Sequence, residues 1–165
     1  MEALWAALCA DPQFADLPYK VETNERGQLL LSPASTLHSV WQAKVTHKLY
    51  SAVEGAGLGG EVMTQSAMLT SQGVKVPDVA WISEEAWQGR SSQSLLMVAP
   101  TICVEVMSPS NSQAEMMDKS ALYFTHGAHE VWILDGTGQM RFYDSQGARA
   151  GSAILPDFPA DLGRQ

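Results

Sequence analysis

The chain has 165 residues, 45% of them hydrophobic and only 17% charged, with a net charge of −8. That length and composition give one globular domain with a real core and exclude a disordered chain. No apolar run approaches the ~20 residues of a membrane-spanning helix, and the absence of any Lys/Arg run argues against a general nucleic-acid binder, whose footprint is usually basic.

The start, MEALWAALCADPQF, is acidic and lacks a basic leader region, so it reads as a short helix over 1–10 and not as a signal peptide. Leu4, Trp5 and Leu8 share one face of it, and Asp11-Pro12 breaks it. Two cysteines, Cys9 and Cys103, make no disulfide framework, which fits a reducing cytoplasm. Residues 19–25 and 28–32 pattern as a hairpin turned at Arg26-Gly27. Ser32-Pro33-Ala34-Ser35 then opens a long helix that ends near Glu54, with Leu37, Val40, Trp41, Val45, Leu49, Ala52 and Val53 at three- and four-residue intervals. Residues 61–70 alternate loosely as a strand, and Ser71-Gln72-Gly73 turns into a second strand, VKVPDVAWI, over 74–82. Within it Asp78 shares a face with Val76, Ala80 and Ile82. Residues 83–99 read as a short helix followed by a loop.

The run from Thr101 to Phe124 predicts a strand, a Ser/Pro turn and a helix. Ile102, Val104 and Val106 point one way; Cys103, Glu105 and Met107 point the other. Glu105 is thus a carboxylate in an apolar strand, where lost hydration demands a cation, a hydrogen bond or a pairing partner. If the Asp78 and Glu105 strands share a sheet, their two acids converge on one point. Ser110 is the expected N-cap, with Gln113 completing a capping box. On that helix Met116, Met117, Ser120, Ala121, Tyr123 and Phe124 form one arc, with Glu115, Asp118 and Leu122 opposite. Lys119 lies on the boundary, its stem free to carry the ammonium toward the end of the Glu105 strand. A strand over 129–134, a hairpin partner over 139–144 and a Gly/Pro-rich arm over 147–165 complete the chain, as one domain (1–165) with its core over 19–144. The pattern is α/β: a mixed β-sheet flanked by two long α-helices.

Taken in order, Pro77-Asp78, the run Val104-Glu105-Val106-Met107-Ser108-Pro109-Ser110, Asp118-Lys119, Leu122-Tyr123 and Glu130-Val131-Trp132-Ile133-Leu134-Asp135 resemble the Uma-two restriction-endonuclease family, a branch of the PD-(D/E)xK nuclease superfamily. The resemblance spans roughly 19–143 and implies a restriction-endonuclease-like fold and Mg²⁺- or Mn²⁺-dependent cleavage of DNA. It implies Asp78 and Glu105 as metal ligands, the carbonyl of Val106 as an additional one, and Lys119 as partner of the attacking water or the phosphate. It also draws in Glu22, otherwise a solvated strand residue, and His38, otherwise a helix-start residue packed on a loop. The superfamily lysine normally lies two residues after the second acid; that position is Met107 here.

Two carboxylates and a cation suffice to hold a hard divalent ion and activate water for phosphodiester hydrolysis. Spacing alone also admits a structural ion pair of Glu105 with Lys119, or a surface pair of Glu115 with Lys119. HExxH, CxxC, GxSxG and phosphate-loop motifs are missing. The expected function is a metal-dependent endodeoxyribonuclease; the alternative, consistent with the acidity and Met107, is a catalytically inactive nuclease fold serving as a dimeric accessory factor. A cytoplasmic homodimer is expected, from apolar Leu122 and the 154–158 segment and from the need of restriction-type nucleases to cut two strands.

Overall fold

Alternating apolar side chains build a central sheet, and the helical repeat of the longer segments covers it. A computed structural model describes residues 1–14, 17–109 and 111–163. The elements are α1 (Glu2–Ala10), β1 (Tyr19–Thr23), β2 (Leu29–Pro33), α2 (Thr36–Gly55), β3 (Glu61–Thr64), β4 (Met68–Thr70), β5 (Gly73–Lys75), β6 (Val79–Ile82), α3 (Glu84–Trp87), β7 (Ile102–Val106), α4 (Gln113–Thr125), β8 (Glu130–Leu134), β9 (Met140–Asp144) and β10 (Gly147–Arg149). Six strands form the main sheet in the order β10-β9-β8-β7-β6-β3. Only β7 and β8 run parallel, joined by the α4 crossover; the other neighbours are antiparallel. β1–β2 and β4–β5 are separate two-stranded hairpins.

β7 is buried along its whole length because both of its faces are covered. On one face Ile102, Val104 and Val106 join Trp132, Leu134 and the α2 side chains Trp41, Val45, Leu49 and Val53. On the other, Cys103 packs with Val131 and with Tyr123 of α4. The two orientations expected for this strand, and its sharing of one sheet with the strand that follows Asp78, are therefore observed.

Several expectations fail for identifiable reasons. The strand predicted over 74–82 is two strands, because Pro77 has no N–H for a ladder. β5 pairs with β4 in its own hairpin, and β6 begins only after Asp78. The strand predicted over 61–70 breaks at the same level, at Gln65, whose φ is 51° and whose N–H donates to the Asp78 carbonyl at 3.2 Å. The α4 cap is Ser112, whose hydroxyl accepts from the Glu115 N–H while the Glu115 carboxylate accepts from the Ser112 N–H. The expected cap Ser110 lies outside the described residues, and Gln113 is simply the first helical residue. The α4 arc is rotated from the expected one: Met116, Ser120 and Tyr123 are buried, whereas Met117 and Ala121 are exposed.

The C-terminal arm also differs. Leu155, Phe158 and Leu162 complete the α2-side core, with the Phe158 ring packed at a tilt of 48° against Trp132, 4.5 Å between ring centroids. Buried Glu130 anchors the arm, accepting from Trp132 Nε1, Ser152 Oγ and the N–H groups of Ala153 and Ile154. The chain itself thus covers the residues expected to need a second subunit, and Leu122 is half-buried in the wall of a cleft. Among the described residues no helix is long and apolar enough to cross a membrane.

Candidate active site

The β6–β7 register sets the site. Val79 lies opposite Val104 and Ala80 opposite Cys103, so the next step brings Asp78 opposite Glu105. Both acids fall on the Ala80/Cys103 side, the face covered by α4. Where the ladder stops, the Val106 N–H donates to Asp78 Oδ2 at 2.8 Å. Val106 therefore joins the site through its N–H.

Asp78 is 1% exposed and Glu105 4% exposed. Neither is unpaired. The Lys20 ammonium from β1 lies between them, 2.8 Å from Asp78 Oδ1 and 3.2 Å from Glu105 Oε2. Lys119 from α4 takes the other Glu105 oxygen at 2.9 Å and reaches Glu22 Oε1 at 2.8 Å. The Tyr123 hydroxyl donates to Glu105 Oε1 at 2.5 Å. His38 Nε2, one turn into α2, lies 3.4 Å from Asp78 Oδ1. Gln42, one turn further on, donates to the Asp78 carbonyl at 2.9 Å. Glu22 is held by the Val76 N–H at 2.7 Å as well as by Lys119.

Lys20, Glu22, His38, Asp78, Glu105 and Lys119 line a cleft of about 720 Å³ between the β1–β2 hairpin, the start of α2 and one face of α4. All the side chains singled out from sequence (Glu22, His38, Asp78, Glu105 and Lys119) meet there. Glu22 is a cleft residue and not a solvated strand residue, because β1 turns its Lys20/Glu22 face inward. Lys119 pairs with Glu105 and Glu22; the surface pairing with Glu115 is not formed, since Glu115 is committed to its capping box.

Sequence reasoning missed Lys20 and Tyr123. The signal for Lys20 was its two-residue spacing from Glu22, which puts both on one face of β1. For Tyr123 it was a hydroxyl on a buried arc, four residues from Lys119, in need of a partner.

Burial opposes ionisation of Asp78, but His38, Lys20 and the Val106 N–H outweigh it and hold the carboxyl well below the usual range. Burial likewise works against the Lys20 charge, yet Glu105 and Asp78 raise its pKa far above that of a free lysine. Glu22 is also lowered, by Lys119 and Lys20 acting against burial. Burial pushes the Tyr123 phenol up, and the neighbouring Glu105 charge adds to the effect, so Tyr123 stays a proton donor. Two acids facing each other alone would raise a carboxyl; at Asp78 His38, the Lys20 ammonium and the Val106 N–H reverse that.

Among the described residues no three His, Cys, Asp or Glu side chains converge as a ready-made metal cage. What converges is a pair of carboxylate oxygens on one cation position, now filled by Lys20. That donor set suits Mg²⁺, which takes one or two carboxylates and keeps several waters.

Comparison with curated proteins finds none that matches. Among solved structures, a protein from Anabaena variabilis described as a putative nuclease belonging to DUF820 superposes with a TM-score of 0.71. It is 15% identical, over 86% of this chain and 87% of that one, a likeness that establishes the shared fold. The Uma2 family, described as "Putative restriction endonuclease", matches residues 11–151. Most of the chain, including every side chain of the cleft cluster, lies within that match, and the protein belongs to the Uma2 family.

Proposed function

We propose that this protein is a metal-dependent endonuclease that hydrolyses DNA phosphodiester bonds, with Asp78 and Glu105 holding Mg²⁺ or Mn²⁺. The observation that carries the reading is the shared cation position: Asp78 Oδ1 and Glu105 Oε2 both lie within 3.2 Å of one ammonium. Family membership supports the nuclease class. Bound there, the ion supplies a water of lowered pKa and offsets negative charge on the phosphate.

The chain's own residues do the rest. The Val106 N–H and His38 fix the Asp78 carboxylate and keep it ionised. Tyr123 fixes one Glu105 oxygen, leaving Oε2 turned toward Asp78. The family resemblance adds the Val106 carbonyl to this reading as a further oxygen for the metal. Lys119 orients water or stabilises the charge developing on the phosphate. Glu22 is an accessory that holds the Lys119 ammonium in the cleft. Cutting both strands of a duplex calls for two copies, so a homodimer belongs to this reading.

The alternative, a catalytically inactive fold serving as a dimeric accessory factor, draws on Met107 at the usual lysine position and on a network in which each buried acid already has a cation. Mn²⁺ calorimetry and nicking of supercoiled plasmid in Mg²⁺ separate the two. The nuclease reading expects Mn²⁺ binding and nicking, both lost in Asp78→Asn and Glu105→Gln. A wild-type protein that binds no Mn²⁺ and leaves plasmid intact refutes the nuclease reading.

A further inference from the structure

Lys20 poses a problem for metal loading that the site's geometry also answers. Its ammonium sits at the focus of the two proposed ligands, 2.8 and 3.2 Å from their oxygens. A Mg²⁺ ion needs metal–oxygen distances of ~2.0–2.1 Å to those same atoms. The ammonium and the ion cannot share the position, and at such separations their mutual repulsion in a poorly solvated cleft is large. Lys119 creates no such conflict, because it meets Glu105 through Oε1 and makes no contact with Asp78.

Charge counting points the same way. The ion-paired cluster holds three carboxylates (Glu22, Asp78 and Glu105) and two ammoniums (Lys20 and Lys119); Lys75, in the same cleft wall, donates to the Thr23 carbonyl and stands outside these pairs. It carries one excess negative charge when His38 is neutral. A divalent ion added with both lysines in place would leave an excess positive charge. A divalent ion that enters as Lys20 leaves brings the cluster to neutrality.

Lys20 is also placed to leave. Its side chain is 13% exposed and lines the open cleft. It stands on a two-stranded hairpin opposite exposed Ser32, away from the Thr23 end where β1 is bonded to β5. Withdrawing it breaks no backbone hydrogen bond and rehydrates a buried ammonium.

We infer that Lys20 is the site's resident counter-ion, exchanged for the divalent metal on loading. Metal-free, it holds the two acids in ligand geometry and prevents their repulsion. Metal-loaded, its ammonium stays tethered to the cleft wall. The exchange makes wild-type metal affinity weaker than the two carboxylates would give unopposed. This inference rests on the proposed metal site.

The test is Mn²⁺ calorimetry on wild type, Lys20→Met, Lys119→Met and Asp78→Asn, each checked for folding by circular dichroism. Lys20→Met should bind Mn²⁺ at least tenfold more tightly than wild type, and Lys119→Met should show a smaller change. Unchanged or weaker binding by Lys20→Met overturns the exchange. A second measurement uses the wild-type chain. The side-chain NMR signals of Lys20, assigned through Lys20→Arg, should shift as Mg²⁺ saturates the protein; signals that stay fixed at saturation overturn it. Binding that Asp78→Asn abolishes but Lys20→Met leaves unchanged sinks the exchange and spares the proposed function. Absence of any Mn²⁺ binding by wild type sinks both.

Discussion

Asp78→Asn keeps the shape of the side chain and removes one charge from the cluster. Viewed as two unscreened acids, the sequence predicts a neutral or stabilising change, because a like-charge repulsion disappears. Lys20 reverses that sign. The asparagine carbonyl can still accept from the Val106 N–H, but its amide then faces the Lys20 ammonium, donor against donor. Removing one partner of a buried ion pair costs ~3–5 kcal/mol. Lys20 keeps Glu105 at 3.2 Å and is partly exposed, which places the loss at the lower end. At about 3 kcal/mol and ~2–4 °C per kcal/mol for a chain of this size, Tm should fall by roughly 6–12 °C. The loss should also depend on pH. The Asp78 carboxyl is held below its unfolded value, so its contribution is whole above ~3.9 and is lost as pH falls toward the folded value. Thermal unfolding in EDTA should therefore show the full gap between wild type and variant near neutral pH, narrowing below about pH 4. Equal melting temperatures at neutral pH, or a gap that stays constant into acid, would refute the reasoning.

Two further predictions concern what holds the cluster in place. Tyr123→Phe deletes only the hydroxyl that donates to Glu105 Oε1, a hydrogen bond to a charged group worth ~1.5–3 kcal/mol, so Tm should drop by about 3–12 °C; an unchanged melting curve would show that Glu105 does not need it. Gly73→Ala strains a turn with φ at +90° and drives a Cβ into the Asn24 carbonyl oxygen and to 2.6 Å from that of Thr23. It should cost at least ~2 kcal/mol in chemical denaturation and loosen the hairpin that carries Lys20 and Glu22, seen as faster amide exchange in β1; native exchange rates there would contradict this.

What could be read from sequence was local. The period-two alternation of β7 and the three- and four-residue spacing in α2 are properties of neighbouring residues, and both strand faces and the helix were correctly anticipated. Asp78 and Glu105 stood out because each is an acid within an apolar run. Lys20 carried no comparable mark. Its role comes from packing of the β1–β2 hairpin against β5, which brings it to Asp78 across 58 residues of chain. The α4 cap shows a different limit: Ser110-Gln113 and Ser112-Glu115 both fit the capping pattern, and only the point where the helix starts decides between them. The tail's apolar residues were visible, but not their destination, because Glu130 of β8 supplies the anchor.

The acidity of the chain finds its place in the cleft. Lys20, Lys75 and Lys119 line it, against Glu22, Asp78, Glu105, Glu115 and Asp118. None of the three lysines is idle: Lys20 and Lys119 are committed to carboxylates, and Lys75 donates to the Thr23 carbonyl, with burial lowering its pKa. A phosphodiester approaching the metal-free site therefore meets an excess of negative charge with no unengaged lysine to receive it. Binding by counterion release scales with the number of phosphates that Lys and Arg neutralise, and the cleft offers few such contacts. On the proposed function, the divalent ion would then serve as anchor as well as catalyst: exchanged for Lys20 it would bring the ion-paired cluster to neutrality, and the ion and the released ammonium would be the groups left to meet a phosphate. The net charge that argues against a general DNA binder is compatible with an enzyme whose hold on its substrate is switched on by the ion it loads.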